Sequence, residues 1–367
     1  MHEAGSEELD EAPTVPKSRP DLGTVDPPIT LDIPDDKKGH MSVRSAIFEA
    51  EVLIPRRIKI LPTNRNIRDP FKHFGTAPPS REGIVDYNTL EGIEASQVWL
   101  SLGHATIEEI LEEYEAMNAK TTPEAEYASF AMEMFFKRQR RFREIPSDRK
   151  WRTRRVQQLF CPPNDVFWFA PPPFETVRYD FKFDVRPDCS YWLYLAGFNR
   201  SYHAELATAV HVYQNEIACH YLTIEFKKQG QSIVQVRVQA AAAASVALYS
   251  RFLLKKTALA VTETPWSDSD KSQMRHYVIT LVGSAFLIWI LEANFGEDGE
   301  SWNGCHMTLL WQANCLSESV AIQLERWINE IHRWGLSKHA TGCQQDVKEI
   351  LRDYGVDVRE GTAPPHR

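Results

Sequence analysis

The sequence predicts an α/β fold: a central mixed sheet flanked by helices, with further helices at the N-terminal and C-terminal sides. Three observations carry this. Short runs of β-branched and aromatic residues crowd the region after Pro171-Pro172-Pro173. An alanine-rich stretch without Gly or Pro, Ser232 to Leu254, lies between two of those runs and fits a buried helix of about five or six turns. Helical spacing of apolar residues appears again before and after the strand-rich part.

Taken in order, residues 1–45 hold ten acidic residues, repeated prolines and few large apolar side chains. Such a composition buries too little surface to offset its ordering entropy, so a disordered acidic leader is expected. Residues 46–155 form an N-terminal helical and irregular region, broken by Pro55, Pro62, Pro70, Pro78 and Pro79. Within it Thr106-Ile107-Glu108-Glu109 starts a helix to about Met117. Thr122-Pro123-Glu124 opens another that carries Tyr127, Phe130, Ala131 and Met134 on one face.

Residues 156–345 contain the predicted strands Phe181 to Val185, Tyr191 to Leu195 and Tyr221 to Phe226. A strand pair, His276 to Leu281 and Ala285 to Leu291, turns at Gly283-Ser284. Ser317 to Trp334 and Gln344 to Tyr354 read as closing helices, and residues 346–367 as a C-terminal helix and frayed tail.

Of the 367 residues, 42 are Lys or Arg and 50 are Asp or Glu, a formal charge of -8 that disfavours a general nucleic-acid coat but leaves room for a local patch. One exists: ten of the nineteen residues from Lys137 to Arg155 are basic against Glu144 and Asp148, a local charge of +8. Phe142 and Trp151 interleave with these charges, as in surfaces that track phosphates and stack bases. Arg149, Lys150, Arg152, Arg154 and Arg155 are the candidate nucleic-acid contacts; a solvated helix end or an import signal are the plainer alternatives.

The most apolar window, Tyr277 to Leu291, is shorter than the roughly 20 residues a membrane span needs, so no membrane partner is expected. No secretory signal is evident, and the expected location is intracellular, nuclear or cytoplasmic. Six scattered cysteines without Cys-x2-Cys pairing are expected to be reduced. Serine-hydrolase elbows, phosphate-binding Gly-rich loops and His-Glu-x-x-His helices are missing from the sequence.

The chemistry concentrates in Tyr221 to Lys227. In a strand alternate residues share a face, so Glu225 and Lys227 point one way while Ile224 and Phe226 face the other. Glu-x-Lys alone is a common salt-bridged strand end. Here Pro187-Asp188 stands at a strand boundary 37 residues before Glu225, and if the two strands pair, the carboxylates converge. Two carboxylates with a backbone carbonyl suit Mg2+, a hard ion that takes one or two carboxylates together with substrate phosphate.

Pro187-Asp188, Glu225-Phe226-Lys227, the long helix with Gln239-Ala240-Ala241, a following strand and Trp334-Gly335 resemble the PD-(D/E)XK restriction-endonuclease-like superfamily. Within it the chain is most similar to a set of uncharacterised fungal domains, over roughly residues 175 to 295. The resemblance implies a restriction-endonuclease-like core and Mg2+- or Mn2+-dependent hydrolysis of nucleic-acid phosphodiesters, with DNA as the expected partner. It implies Asp188 and Glu225 as metal ligands completed by the Phe226 carbonyl, Lys227 as the catalytic lysine and Gln239 as an accessory polar residue. A homodimer would be one way to cut two strands. The same resemblance also accommodates a nuclease-fold module without turnover that binds nucleic acid or protein.

Overall fold

The computed structural model of the chain describes residues 39–76, 86–94, 96–139, 151–159, 161–163 and 167–358. The acidic leader expected over residues 1–45 therefore lies outside the described residues up to position 38.

Ten strands are present among these residues. In chain order they are β1 (Gly39–His40), β2 (Ile58–Asn64), β3 (Thr153–Gln157), β4 (Tyr179–Asp180), β5 (Cys189–Tyr194), β6 (Val212–Tyr213), β7 (Ile217–Lys227), β8 (Arg275–Val282), β9 (Ala285–Phe295) and β10 (Trp302–Asn314). The α-helices are α1 (Pro70–Phe74), α2 (His104–Asn118), α3 (Glu124–Met134), α4 (Ile233–Val261), α5 (Asp268–Gln273), α6 (Glu318–Trp334) and α7 (Ala340–Asp353).

The main sheet is eight-stranded, in the order β2-β10-β9-β8-β7-β5-β3, with β6 also pairing to β7. It is mixed, as expected. β8 runs parallel to β7 and β2 parallel to β10, while β3-β5, β5-β7, β8-β9 and β9-β10 are antiparallel. Parallel neighbours need a long crossover, which α4 supplies between β7 and β8. Antiparallel neighbours need only a tight turn, and Gly283 supplies it between β8 and β9 with φ +59°.

Strand alternation divides the core in two. Along β9, Phe286, Ile288 and Ile290 enter one cluster, shared with α2, α3, α6 and α7, while Leu287, Trp289 and Leu291 enter the other, beneath α4. The small side chains of Ala240, Ala241, Ala242 and Ala244 let α4 lie close to the sheet. Residues 46–155 supply one edge strand, β2, and most of the other, β3, besides the helices expected there.

One predicted strand is corrected. Phe181 and Phe183 are buried and Lys182 and Asp184 exposed, so the alternation of Phe181 to Val185 reports burial faithfully. Yet no described strand pairs with this segment, and Phe183 has the left-handed φ of +51°. Its apolar side chains are anchored in the core beneath α4 without a hydrogen-bonded ladder. Pro187-Asp188 consequently opens β5 instead of closing an earlier strand.

Candidate active site

Strand pairing places the two carboxylates. Cys189 of β5 lies opposite Ile224 of β7, so Asp188 and Glu225 form the next cross-strand position at the end of the ladder. Asp188 is held from both sides: its carbonyl accepts from the N–H of Gln158 at 3.1 Å, just beyond β3. Its Oδ2 accepts from the N–H of Phe226 at 2.8 Å. Proline at 187 removes a donor where the ladder ends.

Glu225 is 1% exposed, and its Oε2 is buried with no hydrogen-bond partner among the described residues. Burial pushes its carboxyl well above the ordinary value, and the adjacent Asp188 charge adds to this; the Lys227 ammonium opposes both without cancelling them. An unpartnered buried carboxyl oxygen is costly, and native proteins keep few of them.

Lys227 ends β7 with its side chain 12% exposed. Its Nζ donates to the Phe226 carbonyl at 2.7 Å and to Glu124 Oε1 at 3.2 Å, and stands 4.0 Å from Asp188 Oδ2. Glu124 is the first residue of α3, where a negative charge is favoured by the helix dipole. The chain after this helix packs on the same strand through an edge-on contact between Phe136 and Phe226. Glu124 is thus a neighbour of the candidate site that the sequence did not single out. The acid after Thr122-Pro123 is its only local signal, and acids in first helical turns are too common to single it out.

Gln239 behaves differently. It is half-buried in the second turn of α4, and no hydrogen bond joins it to Asp188, Glu225 or Lys227. Its neighbours Val236, Val238 and Ala240 take the buried positions.

The side chains fit an oxygen-coordinated divalent ion. Asp188 and Glu225 adjoin, one buried Glu225 oxygen has no partner among the described residues, and the Phe226 carbonyl directly follows Glu225 in sequence. Among the described residues no group of three or more His, Cys, Asp or Glu side chains is arranged to hold a metal, so the donors would be two carboxylates and a carbonyl. That set suits Mg2+ better than Zn2+, which takes nitrogen and sulfur donors.

The basic stretch is divided between packing and surface. Arg149 and Lys150 lie outside the described residues. Arg152 is 4% exposed. Arg155 donates to the carbonyls of Met132 and Phe136, tying β3 to the end of α3. Arg154 lies 4.7 Å above the Tyr194 ring and 3.9 Å from Glu216. Arg154 and Arg155 also line, with Arg138 and Gln157, a polar cleft of about 570 Å3 along the β3 edge. No helix among the described residues is long and apolar enough to cross a membrane.

The chain matches no family model, no curated protein and no solved structure.

Proposed function

We propose that this protein is a Mg2+-dependent nuclease that hydrolyses phosphodiesters in DNA through Asp188, Glu225 and Lys227. The observation that carries the reading is the cross-strand juxtaposition of Asp188 and Glu225, with an unpartnered buried oxygen on Glu225 and the Lys227 ammonium beside them. The order of parts supports it: Pro-Asp at one strand, Glu-x-Lys on the next, a long helix and then a further strand parallel to the second, as in the PD-(D/E)XK arrangement.

Asp188 and Glu225 would hold the ion together with the Phe226 carbonyl. Bound Mg2+ would supply Lewis-acid polarisation of the scissile phosphate. Lys227 would exchange its present acceptors, the Phe226 carbonyl and Glu124, for a phosphate oxygen, and so stabilise the charge that grows as water adds to phosphorus and the bridging oxygen departs. Arg154, at the cleft beside β3, would meet the backbone phosphates.

Cleavage of supercoiled plasmid and labelled oligonucleotides with Mg2+ or Mn2+ tests this. Wild type should nick or linearise DNA, and Glu225→Ala and Lys227→Ala should lose about 10²- to 10³-fold or more, the scale of removing one transition-state contact. Equal behaviour of all three proteins across metals and substrates would reject the assignment.

A second reading, a nuclease-fold module without turnover, is favoured by the engagement of Lys227 with Glu124 and by the burial of Glu225. It expects salt-dependent DNA binding with no Mg2+ binding. The nuclease reading expects Mg2+ binding that disappears in Asp188→Ala. Titration calorimetry separates the two.

A further inference from the structure

The main sheet ends at β3, and among the described residues the outer edge of this strand pairs with no other. Two adjoining clefts, of about 830 and 570 Å3, follow that edge, and Arg138, Arg155 and Gln157 line both. The second touches four consecutive residues of β3, Arg154 to Gln157. Side chains alternate across a strand, so a cleft that meets all four lies along its edge and not on one face of the sheet. Ser129, Met132 and Glu133 of α3 wall the first cleft, and Tyr213, Gln214 and Glu216, where β6 turns into β7, wall the second. The two make one trench.

Charge and position both point to its ligand. Lys137, Arg138, Arg154 and Arg155 line the trench against Glu133 and Glu216. Lys137 and Arg155 donate to backbone carbonyls, which satisfy their N–H groups without cancelling their charge, and Arg138 is exposed. A local excess of positive charge in a protein of net charge -8 suits a polyanion. The trench also leads to the candidate carboxylates. Gln157 pairs with Cys189, the N–H of Gln158 donates to the Asp188 carbonyl, and Arg154 stands about 10 Å back along β3. The wall formed by α3 begins at Glu124, beside Lys227.

We infer that this trench holds one unpaired strand of DNA, with phosphates on Arg138 and Arg154 and a base stacked on Tyr213, and delivers that strand to Asp188 and Glu225. Tyr213 is half-buried in the wall of the smaller cleft. Its ring can stack only on a base whose face is free, which a single strand offers and a duplex withholds. A cleft of about 570 Å3 is the size that takes one drug-sized molecule, room for a nucleotide or two of one strand and not for a duplex. A peptide strand added to the free edge would need pockets for its alternate side chains, whereas charged and amide side chains make up most of the lining.

The inference rests on the nucleic-acid part of the nuclease reading and not on turnover, so it is tested without metal. In EDTA, the full-length protein is titrated into a fluorescein-labelled oligothymidylate of about 10 nucleotides and into a blunt duplex of the same length, with anisotropy as the readout. The single strand should bind about 10-fold more tightly or better, the scale of one stacked base. Tyr213→Ala should weaken its binding about 5- to 100-fold, and Tyr213→Phe, which keeps the ring, should bind as wild type does. Arg138→Ala should lower the slope of log affinity against log salt concentration by about 0.7. Equal or tighter binding of the duplex would overturn the inference, as would wild-type binding by both Tyr213→Ala and Arg138→Ala. Failure to bind either DNA would overturn it too, and would leave the free edge of β3 to a peptide. The nuclease reading is decided separately, by metal-dependent cleavage in the Glu225 and Lys227 variants.

Discussion

At the scale of single residues, Glu225 is where stability and chemistry oppose each other. Its carboxyl titrates in the folded protein well above the ordinary value of 4.5. As pH rises from 4.5 towards the folded value, the folded state holds more protons than the unfolded one, so stability falls through that window and stays lower above it. Glu225→Gln removes the buried charge and should stabilise the protein by about 1 to 3 kcal/mol at neutral pH. The difference should vanish below pH 4.5. Urea denaturation at both pH values checks this, and a less stable variant at neutral pH would show that the carboxylate is well satisfied in the resting protein. Mg2+ should raise the wild-type midpoint more than that of Glu225→Gln, because an ion that binds only the folded state stabilises it by mass action.

At the scale of elements, one ion-pair network holds three helices together. Asp346 of α7 is buried, 2.5 Å from Arg251 Nη1 and 2.7 Å from Lys255 Nζ on α4, and Lys255 reaches Asp270 of α5 at 3.0 Å. Asp346→Ala would leave the guanidinium of Arg251 buried and unpaired, and should cost about 3 to 5 kcal/mol. Replacing Arg251 and Asp346 together by leucine should recover much of that loss in denaturant titrations. Where α6 runs on over β7, the constraint is steric. A Cβ on Gly335 would sit 2.4 Å from the Tyr221 ring. Helix propensity alone favours Gly335→Ala by up to about 1 kcal/mol, but overpacking costs about 1 to 3, so the variant should be less stable in the same titration.

For the whole molecule, buried neutral histidines govern the response to acid. Burial, with smaller charge effects, lowers His73 to about 4, His220 to about 3 and His332 to about 3, and holds His276 well below 6.5. Their unfolded counterparts take up protons near 6.5, so below that pH the unfolded state binds more protons and stability falls until the folded values are reached. Each such histidine contributes up to about 1.4 kcal/mol per pH unit across its window. The urea midpoint should therefore drop steeply between about pH 6.5 and 5. A flat profile there would mean that these imidazoles are already protonated or exposed in the native state. Glu225 runs the other way but acts from pH 4.5 upward, so it partly offsets the loss without removing it.

By itself the sequence determined what local periodicity and composition encode. The alanines and missing Gly and Pro of Ser232 to Leu254 marked α4, though its observed span runs on to Val261. Gly283 marked the β8-β9 hairpin, and the i, i+2 spacing of Glu225 and Lys227 put both on one strand. Tertiary structure alone decided which extended segments became strands, because a strand exists only where a distant partner completes its hydrogen bonds. Phe181 to Val185 alternates correctly yet has no ladder partner among the described residues. β10, buried along most of its length on both faces, lacks the alternation that would announce it, and β2, interrupted by Pro62, and the arginine-bearing β3 read as irregular or basic segments. The site divides the same way: its three named residues were legible as types in a pattern. The convergence of Asp188 on Glu225 and the reach of Glu124 to Lys227 depend on pairing register and helix packing across 37 and 103 positions of chain, which no local pattern specifies.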